Sequence, residues 1–359
     1  MKKIFATIII MAFAAAAAMA GGKAEAPTPP PSTTGAAQPG AIILKLAHAD
    51  STDPYTSRKQ DQALAFANLV NARSNGRIHV EIYGAGALGG EKEYVASIKQ
   101  GSIQAGIASG VVSNFFKPAM VTSIPYVFPS ADIAWTVLDG PFGQKLSDAF
   151  LKETGMRNLA FSEVGFRNFT NSVREIKSPA DMKGLKIRVQ EDPIYTNMVK
   201  GLGASPTPIA WPETYTSLQT HVVDGEENPV STILFAKFAE VQKYLTLDKH
   251  VYGVDWFIIN EKFYESLPPD LRYIVSDSAR ISATVGRGVQ QLLSAVGISQ
   301  LQSQGMQVYV PSAAEIDQFK NATQPPVLDW LKTQIDPSWI SGEMDAVQAA
   351  YAESQKIAQ

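Results

Sequence analysis

The stretch from Ile176 to Pro229 limits the possible folds more than any other part of the chain, because strand and helix signals alternate along it in quick succession. Lys183-Gly184 closes a turn. Leu185, Ile187 and Val189 then fall on one side of a period-2 run whose other side carries Lys186 and Arg188. Asp192-Pro193 is an N-cap followed by proline at the first helical position, and the helix Ile194 to Lys200 stops at Gly201 and Gly203. A second strand is predicted at Ser205 to Ile209, a second helix from Pro212 to about His221, and a third extended segment ending at Asn228-Pro229. Strands joined by crossover helices run parallel, and right-handed crossovers bring their carboxyl ends to one edge, where ligands of open α/β sheets bind.

The residues just past those strand ends are Arg188, Trp211 and Asn228. A planar cation, an aromatic plate and an amide suit the carboxylate of a small organic acid, since a guanidinium can pair with both carboxylate oxygens in one plane. Each has an ordinary reading as well: Arg188 as a solvated strand-end charge and Trp211 as core.

The runs DMKGLKIRV and GASPTPIAWPETYTSLQTHVVDGEENP resemble the signature of the DctP-type substrate-binding proteins of TRAP (tripartite ATP-independent periplasmic) transporters. The likeness extends from LKLAHAD at Leu44 to the region after Gly305. It implies a two-lobed α/β periplasmic binding protein, type II-like, with two parallel or mixed sheets flanked by helices and one long helix spanning both lobes. The expected division is 1-20 signal peptide, 21-40 disordered leader, 41-164 plus about 254-290 lobe I, and 165-253 plus about 291-359 lobe II.

The amino terminus supports export independently. Lys2 and Lys3 precede an apolar run from Ile4 to Met19, and Ala18-Met19-Ala20 fits a signal-peptidase site, so cleavage near Ala20 and a periplasmic location are expected. Ala24 to Gly40 is rich in Pro, Thr, Ala and Gly without a hydrophobic period, as a disordered leader would be. The chain has no cysteine, which removes lipid anchoring, disulfides and thiol catalysis. A formal charge of −3 gives no electrostatic case for nucleic acid.

Before this stretch the pattern is again β-α-β-α-β, from Leu44 through a helix at Asp61 to Arg73, a strand at Ile78 to Ile82, a helix at Glu91 to Gln100 and a strand at Ile103 to Ser109. Gly84, Gly86 and Gly89 satisfy G-x-G-x-x-G between strand and helix. The following strand ends in Ser109-Gly110, however, where a dinucleotide site needs a ribose-binding acid, so no cofactor is expected. Phe115 to Pro129 reads as buried loop and strand, and helices are expected at about Ala131 to Leu138 and Phe142 to Thr154. A strand at Leu159 to Val164 leads into FRNFTN with Arg167, and separate extended segments are predicted at Tyr244 to Leu247 and Tyr252 to Asn260. From Pro268 to about Gly305 a helix runs without an internal stop, long enough to brace two domains.

Carried over position by position, the resemblance implies that Arg188 makes the bidentate pair, that Asn228 and Arg167 donate to the same carboxylate, and that Trp211 covers one face of the ligand. Glu91, Ser109 and His48, on the opposing lobe, receive a hydroxyl or second polar end when the cleft closes. Sialic-acid-specific members place an acid where this chain has Ser109, which speaks against sialic acid. A sugar acid such as a uronate or a C4-type acid is expected, an apolar 2-oxo acid remains open, and the chain is expected to be a monomer serving TRAP membrane subunits. A periplasmic sensor subunit with the same fold is the rival reading. Enzyme motifs are missing: the four histidines have no metal-ligand spacing, no nucleophile elbow occurs, and Glu226-Glu227 cannot flank one glycosidic bond, since strand neighbours point to opposite faces, and read instead as turn and surface charges.

Overall fold

A computed structural model describes residues 36–357. The expected signal peptide, and the expected leader up to residue 35, lie outside the described residues. The chain opens with β1 (Ile42–Ala47), α1 (Arg58–Arg73), β2 (Ile78–Tyr83), α2 (Glu91–Gln100) and β3 (Ala105–Ala108). β1 lies between β2 and β3, parallel to both. Two 3-10 turns, Gly110–Asn114 and Lys117–Ser123, follow where loop and strand were expected. Pro118 sits at the start of the second turn, where its missing N–H leaves no helical bond unmade. α3 (Ala131–Asp139) and α4 (Pro141–Thr154) lead into β4 (Met156–Asn171).

The second lobe is built from β5 (Lys186–Val189), α5 (Pro193–Gly201), β6 (Ser205–Pro208), α6 (Thr214–Gln219), β7 (Gly225–Pro229) and α7 (Val230–Phe235). β5 runs parallel to both β6 and β7. The helix expected from Pro212 is instead a 3-10 turn, Trp211–Glu213, followed by the short α6. β8 (Tyr244–Asn260) then runs antiparallel to β4, and α8 (Glu261–Ser266) precedes α9 (Pro269–Ser303). β9 (Gln307–Tyr309), α10 (Ala313–Leu331) and α11 (Pro337–Ile357) close the chain, with α10 against α5 and α11 laid over α3 and α4.

The strands of the two lobes form one continuous nine-stranded ladder, β2-β1-β3-β8-β4-β7-β5-β6 with β9 on β8, where two sheets were expected. The physical reason is the length of β4 and β8. Met156 to Glu163 pairs with Asn260 to Val254 beside β3, while Arg167 to Asn171 pairs with β7 and the first half of β8. The two segments predicted around Asp248-Lys249-His250 are therefore one strand. Its polar middle, Leu247 to His250, has no ladder partner on β4 and bulges between the pairs Arg167–Val251 and Phe169–Thr246, which is where the sequence placed the gap; Asp248 and His250 are both buried there and bound to each other.

β4 carries register shifts on both sides of the crossing, one of them between Glu163 and Gly165. Gly165 has φ +103°, and a Cβ there would lie 2.3 Å from Nε2 of Gln290 on α9. Only glycine lets the strand pass so closely under the helix. α9 has 35 residues, roughly 50 Å at 1.5 Å per residue, and braces both lobes. Leu271, Val275 and Ala279 pack with Phe66, Val70 and Phe257 at one end, and Leu301 packs with Ile233 and Leu245 at the other.

Candidate functional site

Arg188 is the third residue of β5 and is 2% exposed, so the strand-end cation of the sequence is buried and not solvated. Its Nε and Nη2 donate to the Ile209 carbonyl at 3.0 and 2.7 Å, and its guanidinium carbon lies 5.7 Å from the centre of the Trp211 ring. Among the described residues no carboxylate comes within 4 Å of it. Burial pushes its pKa down to about 10, against the pull of Glu227 and Glu226, so it remains charged at neutral pH.

Arg167, on β4 beside the crossing, is in a different state. Its Nε and Nη2 form a forked pair with Glu227, whose Oε2 also lies 3.2 Å from His250 Nε2, and His250 Nδ1 is 2.9 Å from Asp248. Burial opposes charge on His250, but Asp248 and Glu227 outweigh it and push its pKa up to about 9. Asn228 lies opposite Asn168 in the β4/β7 register, and its amide nitrogen donates to Glu226.

Glu226 and Glu227, expected as surface charges, are both fully buried. β7 lies between β4 and β5, paired along both edges in the interior of the sheet. Glu227 is held below its ordinary pKa because Arg167 and His250 outweigh burial, whereas burial pushes Glu226 up to about 7.

The opposing wall comes from the start of α1. Ser57 is the N-cap, accepting from the Gln60 amide, so the helix begins at Arg58 and not at the predicted Asp61. Arg58 Nη1 donates to Asp50 at 3.0 Å and Nε to Asp255 at 3.1 Å. Lys59 contacts Glu91 and lies 3.3 Å from Asp255. Glu91, the first residue of α2, accepts from the Ser109 backbone at 3.0 Å and its hydroxyl at 2.6 Å. The glycine-rich loop after β2 thus delivers Glu91 to the cleft.

Between the two walls lies a cavity with about 500 Å³ of atom-free space, the open solvent at its mouth included. Arg188, Arg167, Asn228 and Trp211 line it from the second lobe, and Glu91 and Ser109 from the first. The lobes meet across it: Ser109 Oγ is 3.2 Å from Gln190 Oε1, and Asn114 Nδ2 donates to the Glu191 carbonyl at 2.6 Å.

Residues 49–333 match the family described as bacterial extracellular solute-binding protein, family 7, or DctP. The chain belongs to this family. A solute-binding protein of Verminephrobacter eiseniae is 38% identical over 257 residues, covering 70% of this chain and 76% of the relative. The sugar acid binding protein DctPAm of Advenella mimigardefordensis, solved in complex with galactonate, is 32% identical, covers 86% of this chain and 99% of its own, and superposes with a TM-score of 0.83. A TRAP periplasmic solute-binding protein of Polaromonas sp. JS666, solved bound to D-erythronate, gives 32%, 86%, 98% and 0.80 in the same order. DctP proteins are extracytoplasmic substrate-binding components of transport systems.

Six of the seven residues expected at this DctP cleft line its cavity; His48 does not. It is fully buried behind the wall, with Nε2 2.8 Å from Gln60 Oε1, and burial pushes its pKa down to about 4, leaving it neutral. The strand end places His48 correctly in sequence, but its ring turns towards α1. Sequence reasoning missed Asp50, Arg58, Lys59 and Gln190, which line the cavity, and Asp255, which holds two of them. Two signals were present: Ser57 as a helix cap just before two cations, and an aspartate inside the apolar run VYGVDWFIIN. No group of acidic and histidine side chains suited to a metal ion occurs among the described residues.

Proposed function

We propose that this DctP-family protein captures a small organic carboxylate in the interlobe cavity and hands it to the membrane component of a TRAP transporter. One observation carries the reading: Arg188 is a buried, charged guanidinium that opens into the cleft without a carboxylate partner. A buried charge is tolerated when something pairs with it, and a ligand carboxylate supplies that partner. Arg167 and Asn228 flank it, Trp211 covers one face of the guest, and Glu91 with Ser109 takes its polar end. The sugar acids held by the galactonate and erythronate complexes support the same ligand class.

The assignment includes export to the periplasm with cleavage near Ala20, a monomeric receptor, and no catalysis on the bound acid. Lobe I is taken as 41–164 plus about 254–290 and lobe II as 165–253 plus about 291–359, with α11 reaching back over α3 and α4. A thermal-shift screen of the mature chain against organic acids tests the reading. An acid at a hundred times its dissociation constant stabilises by about 2.7 kcal/mol. If no carboxylate raises the melting temperature, or if Arg188→Met leaves the shift intact, the reading is wrong. A mass-spectrometric time course on the hit acid should return it unchanged, and deletion of the gene should abolish its uptake.

A further inference from the structure

The two walls of the cleft carry opposite charge. On the first lobe three carboxylates, Asp50, Glu91 and Asp255, surround two cations, Arg58 and Lys59. Both cations are already engaged: Arg58 by Asp50 and Asp255, and Lys59 by Glu91 and Asp255, with Asp50 at 3.8 Å. Burial opposes ionisation of Asp50 and Glu91, yet the neighbouring cations outweigh it and hold both below their ordinary pKa. Burial holds Asp255 above its ordinary pKa despite Lys59 and Arg58; with all three carboxylates ionised at pH 7.5, three acids against two cations leave the wall formally negative by one and rich in hydrogen-bond acceptors. On the second lobe Arg167 and His250 are matched by Glu227 and Asp248, while Arg188 has no carboxylate partner among the described residues and supplies that wall's unmatched positive charge. Glu91 is one of the carboxylates whose field reaches Arg188 across the cavity.

We infer that the cleft selects a hydroxylated monocarboxylate, such as an aldonate or uronate, and rejects the corresponding dicarboxylate. This rests on the carboxylate reading above and narrows it. One carboxylate of the guest neutralises Arg188. Its far end meets Asp50 and Glu91, whose oxygens accept from hydroxyl groups, while Arg58 and Lys59 can donate to hydroxyl oxygens. A hydroxyl does both, so it fits a wall that mixes the two. A second carboxylate can only accept. To reach Lys59 or Arg58 it must displace a resident carboxylate or lie beside it, and like charges at such distances inside a closed site are strongly disfavoured.

The test uses acids that differ only at the far end: D-erythronate against meso-tartrate, and D-galactonate against galactarate, in which one CH₂OH becomes a carboxylate. Calorimetry at pH 7.5 on the wild-type mature chain should give at least about thirtyfold tighter binding for the better aldonate than for its diacid, a factor set by like-charge repulsion of a few kcal/mol. Glu91→Gln, which removes one negative charge from the wall, should narrow that ratio, and Asp50→Asn should do the same by an independent route. A diacid that binds as well as its aldonate, with binding lost in Arg188→Met, overturns this inference and leaves the carboxylate reading standing. If no acid of either kind binds in an Arg188-dependent manner, both fall together.

Discussion

Arg188→Met should separate binding from folding more cleanly than any other change in the protein. Methionine keeps much of the apolar stem and removes the guanidinium that lies over the Trp211 ring. The depression of the Arg188 pKa to about 10 from an ordinary 12.5 means that burial disfavours the charged form in the ligand-free closed state. At about 1.4 kcal/mol per unit that is on the order of 3 kcal/mol. Losing the charge should therefore leave the melting temperature unchanged or higher, since what goes is a buried cation without a counter-ion. Binding should respond in the opposite direction. Truncating one partner of a buried, hydrogen-bonded charge pair costs about 2–5 kcal/mol, or roughly thirtyfold to several thousandfold in affinity. Arg188→Lys keeps the charge without the planar fork, so it should fall between the two. Calorimetry with the best acid from the screen, beside denaturant unfolding of the same samples, reads both effects. Affinity within threefold of wild type in the methionine variant, or a loss of affinity matched by loss of the fold, would refute the reasoning.

Arg167→Ala should behave in the reverse way, losing about 3–5 kcal/mol of stability in denaturant unfolding, because it leaves the fully buried Glu227 without its forked partner. Stability unchanged in that variant would show that His250 alone suffices for Glu227. Gly165→Ala should destabilise by about 1–3 kcal/mol, since Gln290 is tied to Ser231 at 2.7 Å and to Ser294 at 3.1 Å and cannot easily yield to a Cβ; a neutral effect would mean that α9 lifts freely off β4. For His250 the folded pKa of about 9 lies above the ordinary 6.5, so its stabilising contribution is complete below pH 6.5 and is lost as pH rises through 9. Unfolding free energy should drop by roughly 3 kcal/mol between pH 6 and 9.5 and flatten in His250→Gln; equal slopes in the two proteins would count against the assignment.

What could be read in the sequence was what local pattern encodes. The period-2 run placed Arg188 at the end of β5, the Asp192-Pro193 cap and Gly201 bounded α5 within a residue, and the long apolar run gave α9. What escaped depends on contacts between distant parts of the chain. Arg58 and Lys59 look like surface charges ahead of a helix until β8 brings Asp255 beside them, almost two hundred residues later. Glu226-Glu227 look like a solvated turn for the same reason: β4 and β5 pair along both edges of β7, and the counter-charge on Arg167 lies far off in sequence. The polar Asp248-Lys249-His250 run does interrupt the ladder, but the chain stays buried and extended through it because its compensation, from Tyr126, Glu227 and the Phe169 amide, comes from elsewhere in the sequence. His48 shows the converse, since a strand end fixes where a residue lies along the chain but leaves open which way its ring turns.

The pairing pattern that sequence could not reveal also explains why closing should depend on the guest. On the first lobe both cations that line the cleft, Arg58 and Lys59, are neutralised by their own neighbours, and Arg58 reaches across the gap only to the uncharged Thr232 hydroxyl at 3.4 Å. On the second lobe Arg188 is buried and has no carboxylate from the described residues, while the contacts across the gap include the neutral Ser109–Gln190 and Asn114–Glu191 pairs and a partly exposed Lys92–Glu191 ion pair at 3.8 Å, which solvent screens. An empty cleft therefore closes against the desolvation of one guanidinium. A carboxylate ligand removes that penalty only in the closed form, and a ligand moves an equilibrium by its difference in affinity for the two states and by nothing else. It follows that a neutral polyol of the same shape, able to satisfy Glu91 and Ser109 but unable to neutralise Arg188, should leave the lobes open. Small-angle scattering of the mature chain with a sugar alcohol and with its aldonate compares the two directly: only the acid should shrink the radius of gyration, and equal contraction by both would mean that closure is driven by the hydroxyl wall and not by the unpaired cation.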